Sequence, residues 1–191
     1  MNNPIAENTL IEQLRQGDEA AFRIVCDLNQ DRIYNAILCI VQSIADAEDL
    51  TQEAFIEAFT NIDSFNEQSK LSTWLYRIAI NKALNHRRFW RAKKRLSGVL
   101  SIFNLSEADD APDFVHPAAL LEQKEQSEQL FKAIDALPDK QKTAFVLRQS
   151  DDLSYAEIAE VMQTTIPSVE SLLFRAKQNL QRFLEGKIEF E

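Results

Sequence analysis

Along most of this chain apolar residues recur at intervals of three and four, the spacing that lines one face of an α-helix. Leu10, Ile11 and Leu14 form a short stripe that stops at Gly17-Asp18, a helix end followed at once by a new start. From Glu19 to about Gln42 the period is kept by Phe22, Val25, Cys26, Ile33, Ala36, Ile37, Ile40 and Val41, with a break expected near Asn29-Gln30-Asp31. A third helix opens at Asp46-Ala-Glu-Asp49, where acids suit the N-cap and first turn, and runs to about Ile62. Its apolar face is Leu50, Ala54, Ala58 and Ile62; Asp49, Glu53 and Glu57 align at steps of four on another face. Ser64 to about Leu71 has no period and reads as a loop. Ser72 or Thr73 can cap the long helix that follows, through about Arg95.

Residues 97–117 hold a Gly, two Pro and an acidic cluster without sustained period, and read as a linker with helical tendency around Ser101–Leu105. Helices resume at about Ala118–Ala136, and Pro138 opens another over Asp139–Arg148. Ser154-Tyr-Ala-Glu157 is a capping box, followed by the short apolar run Ile158, Ala159, Val161 and Met162. After the turn Gln163-Thr164-Thr165, Thr165 can cap a last helix from Ile166 to about Leu184. A short helix, a tight polar turn and a longer helix that begins with small polar residues meet the needs of helix-turn-helix, whose second helix enters the major groove. A plain helical hairpin packs in much the same way.

Composition agrees with an all-helical reading. The 191 residues are 45 % hydrophobic, with twelve Phe, three Gly and five Pro, enough for packed cores and too few turn residues for an all-β protein. No run of eighteen apolar residues suggests a membrane span, and MNNPIAENTL carries no secretion signal, so a cytoplasmic protein is expected. Cys26 and Cys39 lie on apolar stretches without zinc spacing and read as buried, reduced thiols.

Charge changes the picture most. The formal net charge is -9, yet between Gln68 and Ser106 there are nine Lys or Arg and no Asp or Glu. Trp74, Tyr76, Phe89 and Trp90 are interleaved among those cations. A net-acidic protein repels polyanions, so one concentrated basic tract marks where a polyanion docks, and aromatics there can stack on unpaired bases. The same pattern describes a solvated helix face beside two core tryptophans.

Three stretches in fixed order resemble bacterial sigma factors, specifically the extracytoplasmic-function (ECF) group of the sigma-70 family. DAEDLTQEAFIEAF at 46–59 is similar to the family's polymerase-binding helix, STWLYRIAINKALNHRR at 72–88 to its promoter-melting helix, and LSYAEIAEVMQTTIPSVESLLFRAKQNL at 153–180 to its second DNA-binding domain. The resemblance implies an all-α chain of two small helical domains joined by a flexible acidic linker. A region 2-like domain would cover 1–96, the linker 97–117, and a region 4-like helix-turn-helix domain 118–191. It implies a transcription initiation factor, not an enzyme, that binds core RNA polymerase and recognises and opens the −10 element while reading the −35 element.

The site residues follow by the same resemblance. Asp46, Asp49, Leu50, Gln52, Glu53 and Phe55 would face the clamp helices of the polymerase's largest subunit, with a further contact to the flap of the second-largest subunit. Asn66, Gln68, Ser69 and Lys70 sit where relatives capture a flipped base, a step whose unstacking a pocket must offset with hydrogen bonds. Trp74 matches an aromatic placed near the start of melting, and Asn81 a position that contacts the −10 strand. Arg77, Lys82, Arg87, Arg88 and Arg91 would hold phosphates. Thr164, Thr165 and Ser168 would donate to phosphates, and Ser171, Phe174 and Arg175 would touch the −35 element. Glu170 and Leu172 stand where many members carry a base, so the preferred −35 sequence is this chain's own. An anti-sigma partner is implied too. The linker's 21 residues reach at most roughly 70–75 Å, close to the roughly 70 Å of two duplex turns. Its acids Glu107, Asp109, Asp110 and Asp113 resemble RNA phosphates in charge.

Two other readings compete. A stand-alone helix-turn-helix regulator needs a net-positive DNA surface that the acidic C-terminal block lacks. A nuclease could use Asp46, Asp49 and Glu53 on consecutive turns as a metal site, but no His, Lys or Gly-rich loop completes it. No cofactor or metal is expected.

Overall fold

The computed structural model describes residues 4–101, 124–151 and 153–186. Every regular element among them is helical: α1 Pro4–Arg15, α2 Glu19–Val41, α3 Ile44–Thr60, a 3-10 turn at Ile62–Ser64, α4 Leu71–Ser101, α5 Lys124–Ala136, α6 Asp139–Asp151, α7 Tyr155–Val161 and α8 Ile166–Leu184.

Local sequence sets the joints. Gly17, at φ +76°, turns the chain between α1 and α2, a conformation that costs glycine little. Asp18 then caps α2, its Oδ1 accepting from the backbone N–H of Ala20 at 2.7 Å and of Ala21 at 3.1 Å. The expected break at Asn29-Gln30-Asp31 is absent. Asn29 Nδ2 donates to the Val25 carbonyl at 2.8 Å, and α2 continues to Val41. Helix α3 starts two residues before Asp46, because Ser43 supplies the N-cap by accepting from the Asp46 N–H at 3.3 Å. Helix α4 runs six residues past Arg95, so positions 97–101, expected in the linker, are helical. The rest of the expected linker, and Ala118 to Gln123, lie outside the described residues. The last two helices follow the local grammar: Ser154 and Glu157 form the capping box of α7, and Thr165 caps α8 by accepting from the Ser168 N–H at 3.4 Å.

Helices α2, α3 and α4 pack on one another, with α1 against α2 and the 3-10 turn. Their core is Val25, Ile33, Ile37, Ile40, Leu50, Phe55, Trp74, Leu75 and Ile80. The second unit, α5 to α8, packs around α8 with its own cluster of Ala133, Ile134, Leu137, Ala176 and Leu180. The two units are not separate bodies. Helix α6 lies on α2 and α7 on α4, and Val146, Leu147, Leu153, Ile158 and Val161 continue the first core across the boundary. The sequence left open whether the two expected domains pack together; in the structure they share one apolar seam.

Candidate nucleic-acid interface

Helix α3 presents one face to solvent and one to the bundle, as its period requires. Asp49, Gln52 and Glu53 are exposed, and Asp46 is partly so. Leu50 and Phe55, expected to add apolar area toward a partner, are buried against the bundle. This corrects their assignment: the apolar arc of α3 is wider than its exposed stripe, and both side chains fall inside it. The apolar residue that the outer face does carry is Ile56, 63 % exposed and one turn beyond Gln52. The sequence signal for it was an isoleucine amid acids, outside the apolar register.

The loop from Asn66 to Lys70 is held from behind. Arg15 donates to the Phe65 carbonyl at 2.8 Å and pairs with Glu67 at 2.7 Å, while Glu7 accepts from the Leu71 N–H at 2.9 Å. Glu67 adopts φ +58°, and Asn66 Oδ1 accepts from the Gln68 N–H at 3.3 Å. This turn leaves Asn66 and Gln68 exposed and Ser69 partly so. Trp74, expected at the melting edge, is 6 % exposed, with its ring 5.3 Å from that of Phe65. In this fold it is a core residue that supports the loop from beneath. An aromatic large enough to fill the gap under a turn is worth more there than in water.

The basic tract does not form one bare surface. Lys82 pairs with Glu53 at 3.2 Å and Glu57 at 2.9 Å, joining α4 to α3. Burial alone would lower its pKa, but the two carboxylates outweigh it and raise the ammonium's pKa. Arg87 is nearly enclosed: it donates to the Ile40 carbonyl at 2.8 Å and to the Asp135 carbonyl at 3.1 Å, and pairs with the Asp135 carboxylate at 2.7 Å. Arg91 Nη1 donates to both carboxylate oxygens of Asp139, each at 3.0 Å. Lys70 donates to Glu157 at 2.7 Å, a bond that raises its pKa. Burial would push Glu157 up, but the bonds from Lys70 and Ser154 hold it down to about 2. Arg77 is half-buried, whereas Asn81 and Arg88 face solvent. Beyond them Trp90 donates its indole N–H to His86 at 2.9 Å and lies under Lys93, 4.6 Å from the ring centre.

Besides Glu57 on α3, three acids of the second unit that were unforeseen as site residues engage expected DNA contacts: Asp135 on α5, Asp139 in the first turn of α6, and Glu157 in the first turn of α7. Behind them Lys142 is wholly buried, 2.6 Å from Asp135. Burial lowers its pKa to about 8, with Arg87 and Arg91 adding to the effect against Asp135.

In the second unit Ser171, Phe174 and Arg175 are exposed along α8, with Phe174 at 64 %. Thr164 and Ser168 are half-buried at the turn, and Thr165 is exposed but engaged as the cap. Glu170 shares the outer face. Both cysteines are free and half-buried rather than buried; burial pushes the Cys26 thiol to about 11 and raises Cys39 as well. Among the described residues no cluster of three metal-ligating side chains occurs, and no helix is long and apolar enough to cross a membrane.

Residues 26–95 match the family model for sigma-70 region 2, and residues 127–180 that for sigma-70 region 4. The ECF RNA polymerase sigma factor SigW of Bacillus subtilis (strain 168) is 34 % identical, over 91 % of this chain and 94 % of that one. The ECF RNA polymerase sigma-E factor of Escherichia coli (strain K12) is 33 % identical, over 98 % of this chain and 99 % of its own. Among solved structures, CnrH in complex with the cytosolic domain of CnrY superposes with a TM-score of 0.72 at 19 % identity, covering 96 % of this chain and 99 % of that one. The sigma factor RpoE in complex with the anti-sigma factor NepR from Bartonella quintana gives 0.62 at 24 %, covering 86 % and 96 %. At those identities the structural likeness concerns the fold.

Proposed function

Since the chain belongs to the ECF group of the sigma-70 family, and so directs core RNA polymerase to promoters as an initiation factor, we propose that its exposed residues divide that work among three surfaces. The outer face of α3, with Asp46, Asp49, Gln52, Glu53 and Ile56, docks on the clamp helices of the polymerase's largest subunit. Its acids meet basic partners, and Ile56 supplies apolar area in place of Leu50 and Phe55. The loop carrying Asn66, Gln68 and Ser69 receives a base flipped from the −10 element, and Asn81 follows the same strand. Arg77 and Arg88, with Lys70, Lys82, Arg87 and Arg91 once their acids yield, hold phosphates on either side. On α8, Ser171, Phe174 and Arg175 meet the −35 element, with Thr164, Thr165 and Ser168 near the backbone and Glu170 tuning the preferred base.

The observation that carries this reading is the exposed loop of Asn66 and Gln68, whose polar groups can bond a base edge, held between a braced Phe65 and a buried Trp74. On this reading the boundaries are a region 2-like unit ending within α4 and a region 4-like unit beginning before α5. The protein works in the cytoplasm without catalysis of its own. By analogy of fold with the RpoE complex, an anti-sigma protein restrains it.

Transcription in vitro with core polymerase and a promoter library tests the assignment. Start sites should appear that depend on this protein and share −10 and −35 elements. Their absence, or tight specific duplex binding by the free protein alone, would replace the proposal with a stand-alone regulator.

A further inference from the structure

The geometry points to His86 as a positioning residue for Trp90 on the promoter-facing helix, one that Asp46 competes for until polymerase engages α3. The inference rests on the roles proposed above for α3 and α4, and it adds Trp90 to the surface that meets DNA.

A single ring nitrogen carries it. His86 Nε2 accepts from the Trp90 indole N–H at 2.9 Å and lies 3.4 Å from Asp46 Oδ1. Those two neighbours make opposite demands. The indole needs a lone pair on Nε2, whereas the carboxylate needs a proton there. One nitrogen cannot offer both, so His86 serves either Trp90 or Asp46 at any moment. With its proton on Nδ1 it holds the indole, and its lone pair then faces the carboxylate unfavourably. With a proton on Nε2 it turns to Asp46, and the indole loses this acceptor. Among the described residues, the acid paired with His86 is Asp46. Charges around it have their own partners: Lys82 pairs with Glu53 and Glu57 of α3, Arg87 with Asp135 of α5, and Arg91 with Asp139 of α6. Glu157 of α7 holds Lys70, just before α4.

Asp46 belongs to the face of α3 proposed to dock on polymerase. A basic group of the partner that takes Asp46 removes the competing anion, and His86 then holds the indole. Trp90 is 40 % exposed, stands between exposed Arg88 and Lys93 in the tract without acids, and lies 4.6 Å beneath the Lys93 ammonium. Phe89, 64 % exposed and edge-on to Trp90, widens the platform. A fixed ring beside cations suits a DNA strand, since the cations hold phosphates while the ring covers apolar sugar and base surface.

Two measurements test it. In the free chain, the Trp90 indole N–H resonance, assigned by its loss in Trp90→Phe, reports the bond to His86. Asp46→Ala should shift it toward the hydrogen-bonded position, and His86→Ala toward that of a solvated indole. His86→Gln, whose amide can serve both neighbours at once, should keep the bond and make it indifferent to Asp46→Ala. A Trp90 signal that ignores Asp46→Ala while His86 is present would overturn the inference.

Promoter binding by the holoenzyme, at saturating core polymerase, is the second readout. His86→Ala and Trp90→Phe should each weaken it about fivefold, the scale of one hydrogen bond, and their combination no further. His86→Gln should stay within about twofold of wild type, because it keeps the acceptor. Additive losses in the double variant, a full loss in His86→Gln, or unchanged binding by both single variants would overturn the positioning role. If the wild-type holoenzyme itself starts no promoter-dependent transcript, the function assignment falls, and the resonance measurement still decides whether Asp46 and Trp90 compete for His86.

Discussion

Lys142 Nζ lies 2.6 Å from Asp135 Oδ1 with its own side chain fully out of solvent, while about half of the Asp135 side chain stays exposed (49 %). The pair is therefore asymmetric. Removing the acid strands a buried cation, whereas removing the cation leaves an acid that keeps Arg87 and water. Asp135→Ala should cost about 3 kcal/mol of unfolding free energy, and Lys142→Met less than about 1 kcal/mol. Urea denaturation at pH 7 measures both; equal losses would contradict the asymmetry.

Glu157 binds its proton less readily in the folded chain, at about 2 against an ordinary value of 4.5. A depressed carboxylate stabilises the native state above its unfolded value and loses that contribution as pH falls toward the folded one. The melting-temperature gap between wild type and Glu157→Gln should hold steady above pH 5 and narrow continuously from pH 4.5 downward. In a Lys70→Met background the gap should be smaller throughout.

Trp74 fills the space beneath the base-facing loop, so its loss should act first on folding. Trp74→Ala is expected to destabilise by about 3–5 kcal/mol. Trp74→Phe should cost a fraction of that and retain promoter opening, read by permanganate footprinting with polymerase. Normal stability with abolished opening in the phenylalanine variant would return the ring to the DNA.

Ile56 is the reverse case. Being exposed, it should contribute little to the fold, and Ile56→Ala should change stability by no more than about 0.5 kcal/mol. Its Kd for core polymerase should rise about tenfold, in the range of an apolar interface anchor. Competition binding and thermal melts on the same preparation separate the two effects.

What could be read from the chain depended on how local its cause was. The capping box at Ser154–Glu157 and the Thr165 cap are written within four residues, and α7 and α8 begin where those residues say. At Asn29-Gln30-Asp31 three polar residues looked like an interruption, but they point outward and a single side-chain bond carries the helix through. Leu50, Phe55 and Ile56 are all apolar residues of one helix, and only the positions of α2 and α4 decide which stay uncovered. Trp74 among cations has the same sequence signature whether it stacks on a base or on Phe65. Asp139 and Glu157 look like ordinary first-turn acids. Their partners lie 48 and 87 residues away, and no local pattern encodes that pairing.

Helix α4 contains neither Gly nor Pro between Leu71 and Ser97, and it carries Arg77, Lys82, Arg87, Arg88 and Arg91 on one unbroken helix. From Leu71 to Arg91 it spans ~30 Å, at about 1.5 Å per residue, close to one turn of duplex at ~34 Å. The helix thus acts as a ruler, fixing both the separation and the angular phase of charges at its two ends. Inserting a single residue between Leu75 and Ala83 would rotate Arg87, Arg88 and Arg91 by ~100° relative to the base-facing loop. Substitution can tune the individual contacts, but only a change in helix length can alter their gauge.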